Sequence, residues 1–305
     1  MITYKYIHIL EKGENVMISK QEIANLKSEG ILAQKQEGYF SIRILSRAGN
    51  FTAEQLTELA RLSQKYGKGY LGVTTRLAVE IPWIKYEDID NIKIDLKDAN
   101  LAHGGTGKKV RPLVACKGTV CQHGIYDTQD LCGKLHDEYF AYDLPAKTKI
   151  TLVGCPNNCA KANTNDIGIV GQVYVEFDED KCKNCGLCTK SCRQKSVKLV
   201  DKKLVWNKDE CVNCGKCAQV CPFGAMEVKE KGMAIYLGGR MGRGYRFGDR
   251  LSNLYQEDEI IETVQDILET YKDLANSEER ICKVIDRLGI EKFEKELLSK
   301  KNHNI

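Results

Sequence analysis

Twelve of the 14 cysteines in this 305-residue chain fall at spacings that suit metal ligation. Cys182, Cys185, Cys188 and Cys192 read C-x2-C-x2-C-x3-C. Cys211, Cys214, Cys217 and Cys221 repeat that spacing, and Pro222 follows. A cubane cluster needs thiolates converging from one tight loop plus one arm from further away. The double run is therefore the pattern of two [4Fe-4S] clusters that exchange their fourth ligands. The expected sets are Cys182, Cys185, Cys188 with Cys221, and Cys211, Cys214, Cys217 with Cys192. Zinc also takes C-x2-C pairs, but two triple-cysteine runs, each with a correctly placed fourth cysteine, exceed what one tetrahedral site uses.

Four more cysteines stand upstream, Cys116 and Cys121 in CKGTVC and Cys155 and Cys159 in GCPNNC. Two close pairs on separate loops suit a third cluster. They suit a structural zinc as well, and spacing alone leaves both open. Cations are interspersed with these loops: Arg76 in Thr74-Thr75-Arg76, Arg111, Lys147 and Lys149 in LPAKTKI, and Arg240 and Arg243 in GGRMGR. Any one of them taken alone reads as a solvated surface charge. His103 and His123 could donate protons, though a hydrogen-bonded loop position is the plainer reading. Cys282, between Ile281 and Ile285, reads as a small buried hydrophobe, and Cys132 has no partner at ligand spacing.

Composition narrows the classes. Hydrophobic residues at 42% and charged residues at 29% describe an ordinary globular chain, long enough for two domains. No apolar run approaches the ~20 residues of a membrane helix. The opening MITYKYIHILEKGENV meets charge before a signal-like apolar core forms. Thiolate ligands are most useful in a reducing interior, so a cytoplasmic protein without a membrane partner is expected. Between Asp180 and Cys221 ten Lys or Arg face four Asp or Glu, a surplus of six. Two oxidised four-thiolate clusters carry about −2 each and cancel about four of these. Little is left to hold nucleic acid.

The elements that must position these residues alternate between strand and helix. Tyr39 to Leu45 places Phe40, Ile42 and Ile44 on one face, a half-buried strand. Thr52 and Gln55 form a capping box, Leu56, Leu59 and Leu62 an apolar stripe, and Gly67 a stop. A strand is expected at Leu77 to Ile81, and further strands at Lys149 to Val153, Ile167 to Phe177 and Met233 to Leu237. Helices are expected at Lys20 to Ser28, over Ile260, Ile261, Val264, Ile267, Leu268 and Tyr271, and over Ile281, Ile285 and Leu288. HGGTGKK at 103–109 misses the phosphate-loop pattern at both ends, where Ala102 and Lys109 stand. The glycine-rich turn at Gly238 to Gly244 lacks the order of a dinucleotide fingerprint.

GCPNNCAKA with a preceding cysteine pair resembles the siroheme and [4Fe-4S] site of the sulfite and nitrite reductases, whose pattern is C-x5-C followed by C-x3-C. Here four residues, not five, separate Cys116 from Cys121. TTR and LPAKTKI are similar to the family's anion-binding segments, and Arg111 to its second arginine. The resemblance covers about residues 38–175 and 230–298. The double cysteine run between them resembles an inserted bacterial ferredoxin, and within the family the chain resembles the catalytic subunit of the anaerobic sulfite reductases.

The resemblance implies an α+β fold. It consists of an N-terminal extension (1–37), a nitrite/sulfite reductase ferredoxin-like half-domain (38–109), a siroheme and [4Fe-4S] α/β domain (110–175 and 230–305) and the ferredoxin insertion (176–229). It implies siroheme and three [4Fe-4S] clusters as cofactors. Cys116, Cys121, Cys155 and Cys159 would hold the third cluster, and Cys159 would be shared with the siroheme iron. Arg76, Arg111, Lys147 and Lys149 would cradle the substrate anion, while Thr75, Arg240 and Arg243 would hold siroheme. The implied activity is six-electron reduction of sulfite to sulfide, with electrons from a partner redox protein. Siroheme nitrite reduction, or haem-free electron transfer by three clusters, are the alternatives. The family pairs two half-domains and this chain carries one, so a homo-oligomer or a partner subunit is implied too.

Overall fold

The computed structural model describes residues 6–11 and 14–301. Residues 1–5 of the N-terminal extension, 12–13 and 302–305 lie outside the described residues. The chain divides into two compact units: Met1–Val114, Cys132–Ile150 and Ala275–Arg280 form one, Ala115–Leu131, Thr151–Leu274 and Ile281–Ile305 the other.

In the first unit β1 (Tyr6–Glu11) and β2 (Glu14–Ser19) form an antiparallel hairpin that the sequence reading did not foresee. It leads into α1 (Lys20–Ser28), whose start is fixed by the Ser19 hydroxyl accepting from Glu22 N–H at 3.1 Å. A four-stranded sheet follows, in the order β3 (Ile31–Ala33), β4 (Tyr39–Ile44), β6 (Val79–Lys85) and β5 (Gly72–Val73). Helices α2 (Ala53–Tyr66) and α3 (Ile89–Asp98) pack on it. Phe40, Ile42 and Ile44 of β4 are buried with Leu59 and Leu62 of α2 and Ile92 and Leu96 of α3. That burial removes several full apolar side chains from water, each worth ~1.5–3 kcal/mol.

The capping box at Thr52 and Gln55 forms as expected. Gly67 ends α2 for another reason than a left-handed turn: a Cβ there would sit 2.7 Å from the Pro82 carbonyl oxygen. Leu56 lies at the edge of the stripe and stays 49% exposed, and Tyr66 takes the buried place at the other end. The strand expected at Leu77 to Ile81 begins at Val79 and runs to Lys85. A tight turn displaces its start, with Leu77 at φ 60° and the Thr74 hydroxyl accepting from Ala78 N–H at 3.1 Å.

The second unit rests on a five-stranded sheet ordered β13-β12-β9-β8-β7. These strands are β7 (Val114–Ala115), β8 (Ile150–Val153), β9 (Ile167–Phe177), β12 (Met226–Leu237) and β13 (Asp249–Tyr255); α4 (Thr128–Tyr139) lies between β7 and β8 in the chain. Strands β9 and β12 pair antiparallel from Ile167 opposite Leu237 to Phe177 opposite Met226. β12 is thus seven residues longer at its start than the expected Met233 to Leu237, because exposed Glu227 to Lys231 hide its apolar alternation. The segment joining β9 to β12 holds the double cysteine run, with α5 (Leu187–Ser191), the hairpin β10 (Val197–Val200) and β11 (Lys203–Trp206), and α6 (Lys216–Val220). Helices α7 (Ile260–Leu274), α8 (Ile281–Leu288) and α9 (Ile290–Lys301) close the chain. Among the described residues no helix is long and apolar enough to cross a membrane.

Candidate functional site

The double cysteine run folds as two loops, each turning through a left-handed glycine, Gly186 at φ 77° and Gly215 at φ 69°, into a five-residue helix. Cys182, Cys185, Cys188 and Cys221 line one hollow. Cys192, Cys211, Cys214 and Cys217 line a second, of about 330 Å³. The structure thus brings each run's first three cysteines together with the other run's fourth. Burial pushes the Cys188 thiol up, and the Cys217 thiol up to about 11. The two exchanged cysteines differ. Burial works to raise Cys192, but the Ser196 hydroxyl at 3.3 Å and the N–H groups of Val197, Ser196 and Gln194 outweigh it. Cys221 is likewise held below its ordinary value, against burial, by the N–H groups of Met226, Phe223, Ala225 and Gly224. Hydrogen bonds to the charged form favour the thiolate, which is the form that binds iron. Among the described residues no three His, Cys, Asp or Glu side chains converge on a single metal ion; the thiols stand around hollows instead.

The upstream pairs come together through glycine. Cys116 follows β7, and its sulfur accepts from Gly154 N–H at 3.3 Å, while its own N–H reaches the Leu152 carbonyl at 3.0 Å. Cys155 follows Gly154 at the end of β8. A Cβ on Gly154 would sit 3.2 Å from the Cα atoms of both Gly118 and Gly124, so these backbones touch where any side chain would hold the two loops apart. Burial, then the nearby Cys116, Cys121 and Cys159, pushes the Cys155 thiol up. Cys159 and Cys121 are exposed. Cys155 also lines the 330 Å³ hollow, with His123 and Trp206, neither of which the sequence reading placed there.

In the first unit Thr75, Arg76, Arg111, Lys147 and Lys149 line one cavity of about 210 Å³. The turn between β5 and β6 presents Thr75 and Arg76. Arg76 donates to the carbonyls of Pro112 and Ile150, and Arg111 donates to that of Gly105 at 2.6 Å. Both guanidinium groups are thereby fixed in orientation. Arg43 also lines the cavity, its charge engaged by Glu80 at 2.7 Å. Sequence reasoning missed it because in β4 it reads only as the polar partner of an alternating strand. Lys147 is exposed and has no ion-pair partner among the described residues. The cavity joins five cations and two threonines from sequence positions 43 to 149, a concave positive site that suits a small anion.

Arg240 and Arg243 lie on the turn after β12, where the backbones of Arg240 and Arg246 pair at 2.8 Å in both directions. Arg243 is exposed, and neither Arg240 nor Arg243 has an ion-pair partner among the described residues. His103 takes the hydrogen-bonded loop position expected of it, 2.7 Å from the Glu29 carbonyl. Cys132 and Cys282 are buried, at 0% and 1% exposure.

Comparison with known proteins gives this arrangement its family. Residues 106–305 match the nitrite and sulphite reductase 4Fe-4S domain, and residues 32–99 the nitrite/sulfite reductase ferredoxin-like half domain. The chain belongs to the nitrite and sulfite reductase family. Its fold is the α+β arrangement of that family, and it is an oxidoreductase-family chain with a 4Fe-4S domain. It is 34% identical to a subunit of the anaerobic sulfite reductase of Salmonella typhimurium, over 90% of this chain and 88% of that protein. It is 33% identical to the coenzyme F420-dependent sulfite reductase of Methanocaldococcus jannaschii over 88% of this chain, but spans only 44% of that longer protein. Among solved structures it is similar to dissimilatory sulfite reductase I, with a TM-score of 0.68 and 21% identity over 85% of this chain and 69% of that one.

Proposed function

We propose that this chain reduces sulfite to sulfide at a siroheme coupled to a [4Fe-4S] cluster, with electrons supplied by a partner protein through two further clusters. The observation that carries the reading is the cavity of Thr75, Arg76, Arg111, Lys147 and Lys149, in a chain at least 33% identical to two proteins named as sulfite reductases. At about 210 Å³ it is too small for a nucleotide cofactor and ample for a small oxyanion.

The residues fit the groups this reading needs. Each hollow of the double cysteine run offers four thiols, and Cys116, Cys121, Cys155 and Cys159 offer four more, of which the exposed Cys159 can also reach a second metal. Arg240 and Arg243, with no carboxylate to hold among the described residues, suit the carboxylates of siroheme. Siroheme, when bound, supplies an iron that takes the anion and passes electrons to it.

The chain's own residues do the rest. Reduction takes six electrons, and all three oxygens leave as water, so the site must balance charge and deliver protons. Arg76 and Arg111, clamped on backbone carbonyls, hold positive charge in place before the reaction begins, which is worth more than charge that must reorient. Lys147 and Lys149 donate protons to the departing oxygens. Lys147, exposed, regains its proton from water.

The test is an anaerobic preparation of the full chain. Expected are the iron of three clusters, siroheme extractable by acidified solvent, and sulfide formed from sulfite with reduced methyl viologen at a higher kcat/KM than nitrite reduction. Cluster bands without extractable siroheme would make the chain an electron carrier, and preferred turnover of nitrite would reassign the substrate.

A further inference from the structure

The two hollows of the double cysteine run differ in what else lines them. The one with Cys192, Cys211, Cys214 and Cys217 also takes in Cys155 and His123, so it adjoins the upstream cysteine loops. The backbone also ties its segment to the sheet, Val173 N–H of β9 donating to the Asn213 carbonyl at 2.7 Å. Among the described residues the other hollow, with Cys182, Cys185, Cys188 and Cys221, is otherwise lined only by its own segment and the adjoining ends of β9 and β12, including Leu187, Leu204, Phe223 and Lys183. Cys185 is exposed, and Leu187 and Phe223 remain 44% and 46% exposed. Leu199, 41% exposed, lies against the same loop, close enough that a Cβ on Gly186 would sit 3.2 Å from its Cδ1.

Three large half-exposed apolar side chains around one thiol-lined hollow exceed what a solvated loop needs, and mark a contact surface. Its rim is cationic. Lys183 lines the hollow, and Lys190 follows Leu187 by three residues on α5, on the same face. Both are exposed and neither has an ion-pair partner among the described residues, whereas nearby Lys181 is held by Asp178 and Glu227 at 3.3 Å.

We infer that this face is the docking surface of an acidic electron-donor protein, and that the Cys182, Cys185, Cys188 and Cys221 cluster is the one that receives its electrons. The inference rests on the proposed function only in taking the cysteines as cluster ligands. An apolar centre with a polar rim is the anatomy of a transient protein interface, and the unpaired lysines set the sign of the partner. A second copy of this chain would bring Lys183 and Lys190 against themselves across a two-fold axis, and nucleic acid would leave the apolar centre without a partner. In the step itself one electron passes from the donor's reduced centre to the oxidised cluster, and no bond forms or breaks.

The experiment uses the anaerobic holoprotein without sulfite, so it reads cluster reduction whether or not sulfite is the substrate. Bleaching is followed by stopped flow with two reductants, flavodoxin hydroquinone as the acidic protein and the methyl viologen radical as a small cation. Lys183→Glu with Lys190→Glu should slow reduction by flavodoxin about tenfold or more and flatten its salt dependence. Reduction by methyl viologen, iron content and the cluster EPR signals should stay unchanged, as should both rates when the exposed Lys97, in the last turn of α3 in the first unit, is reversed in Lys97→Glu. If the double charge reversal disturbs the clusters, Lys183→Gln with Lys190→Gln should give the same trend at smaller size. Unchanged reduction by flavodoxin would overturn the inference. So would a self-association that the variant abolishes, or retention of the wild type on duplex DNA at physiological salt.

Discussion

At the scale of single residues, the cavity proposed for the anion turns on two arginines that the backbone holds still. Arg76→Ala removes a charge that faces the cavity and also leaves the carbonyls of Pro112 and Ile150 without that donor. The expected outcome is a rise of at least tenfold in KM for sulfite, about 1.4 kcal/mol, with siroheme content unchanged and a lower unfolding temperature. Steady-state kinetics beside haem extraction measure both, and an unaltered KM would remove Arg76 from the cradle. Cys132 illustrates the opposite fate of a polarisable group. Fully buried, its thiol is pushed up to about 12, chiefly by burial, against a partial pull from Arg76 and Arg47. The folded state therefore keeps the proton while the unfolded chain begins to lose it near pH 9, so this group favours unfolding as pH rises from about 9 towards 12 and is silent below that. At pH 8 iodoacetamide should leave Cys132 unmodified in the native protein and label it after denaturation. Mass spectrometry decides the point.

At the scale of elements, what aligns the upstream cysteine loops is the absence of side chains. Gly124 N–H donates to the Cys121 carbonyl at 2.8 Å, and a Cβ on Gly124 would meet the Gly118 carbonyl oxygen at 2.0 Å. Backbone cannot yield by that much without moving the Cys116 to Cys121 loop. Gly124→Ala should lose the iron of one cluster while the two clusters of the double run remain, as read by iron analysis and EPR. Full iron content would show that the loop adapts. The glycines could not be read in this role beforehand, because CKGTVC and GCPNNC announce their cysteines and nothing in either pattern says that their flanking glycines will touch. The cap at Thr52 and the fourteen residues of α2 were legible for the contrary reason, that both partners lie three residues apart.

At the scale of the molecule, β9 and β12 pair along their whole lengths up to Phe177 and Met226, and Asp178 N–H still donates to the Ala225 carbonyl at 2.8 Å. The hairpin is complete without what it carries. Replacing residues 179–224 by a two-residue Asn-Gly turn should leave a folded protein with the iron of one cluster, reducible by methyl viologen and no longer by flavodoxin. The loss of Val173's contact with Gly215 and Asn213 should lower stability only modestly. Failure of the shortened chain to fold would show that the cysteine segment supports the sheet rather than riding on it.

The sequence by itself determined which residues are chemically matched. Ligand spacing, capping and strand alternation are local, carried by residues a few positions apart, so the grouping of the eight cysteines of the double run around two hollows, the capping box at Thr52 and the long strand β9 could be read directly. Only the tertiary structure decided which distant groups share a space. That Arg43 joins Arg76, Arg111, Lys147 and Lys149 around one cavity, that Cys155 lines the hollow of Cys192 rather than that of Cys182, and that Leu187, Leu199 and Phe223 stay half in water depend on strand order and on the close approach of glycine backbones. Neither is written in the spacing of any one motif, because each arises from contacts between segments tens of residues apart.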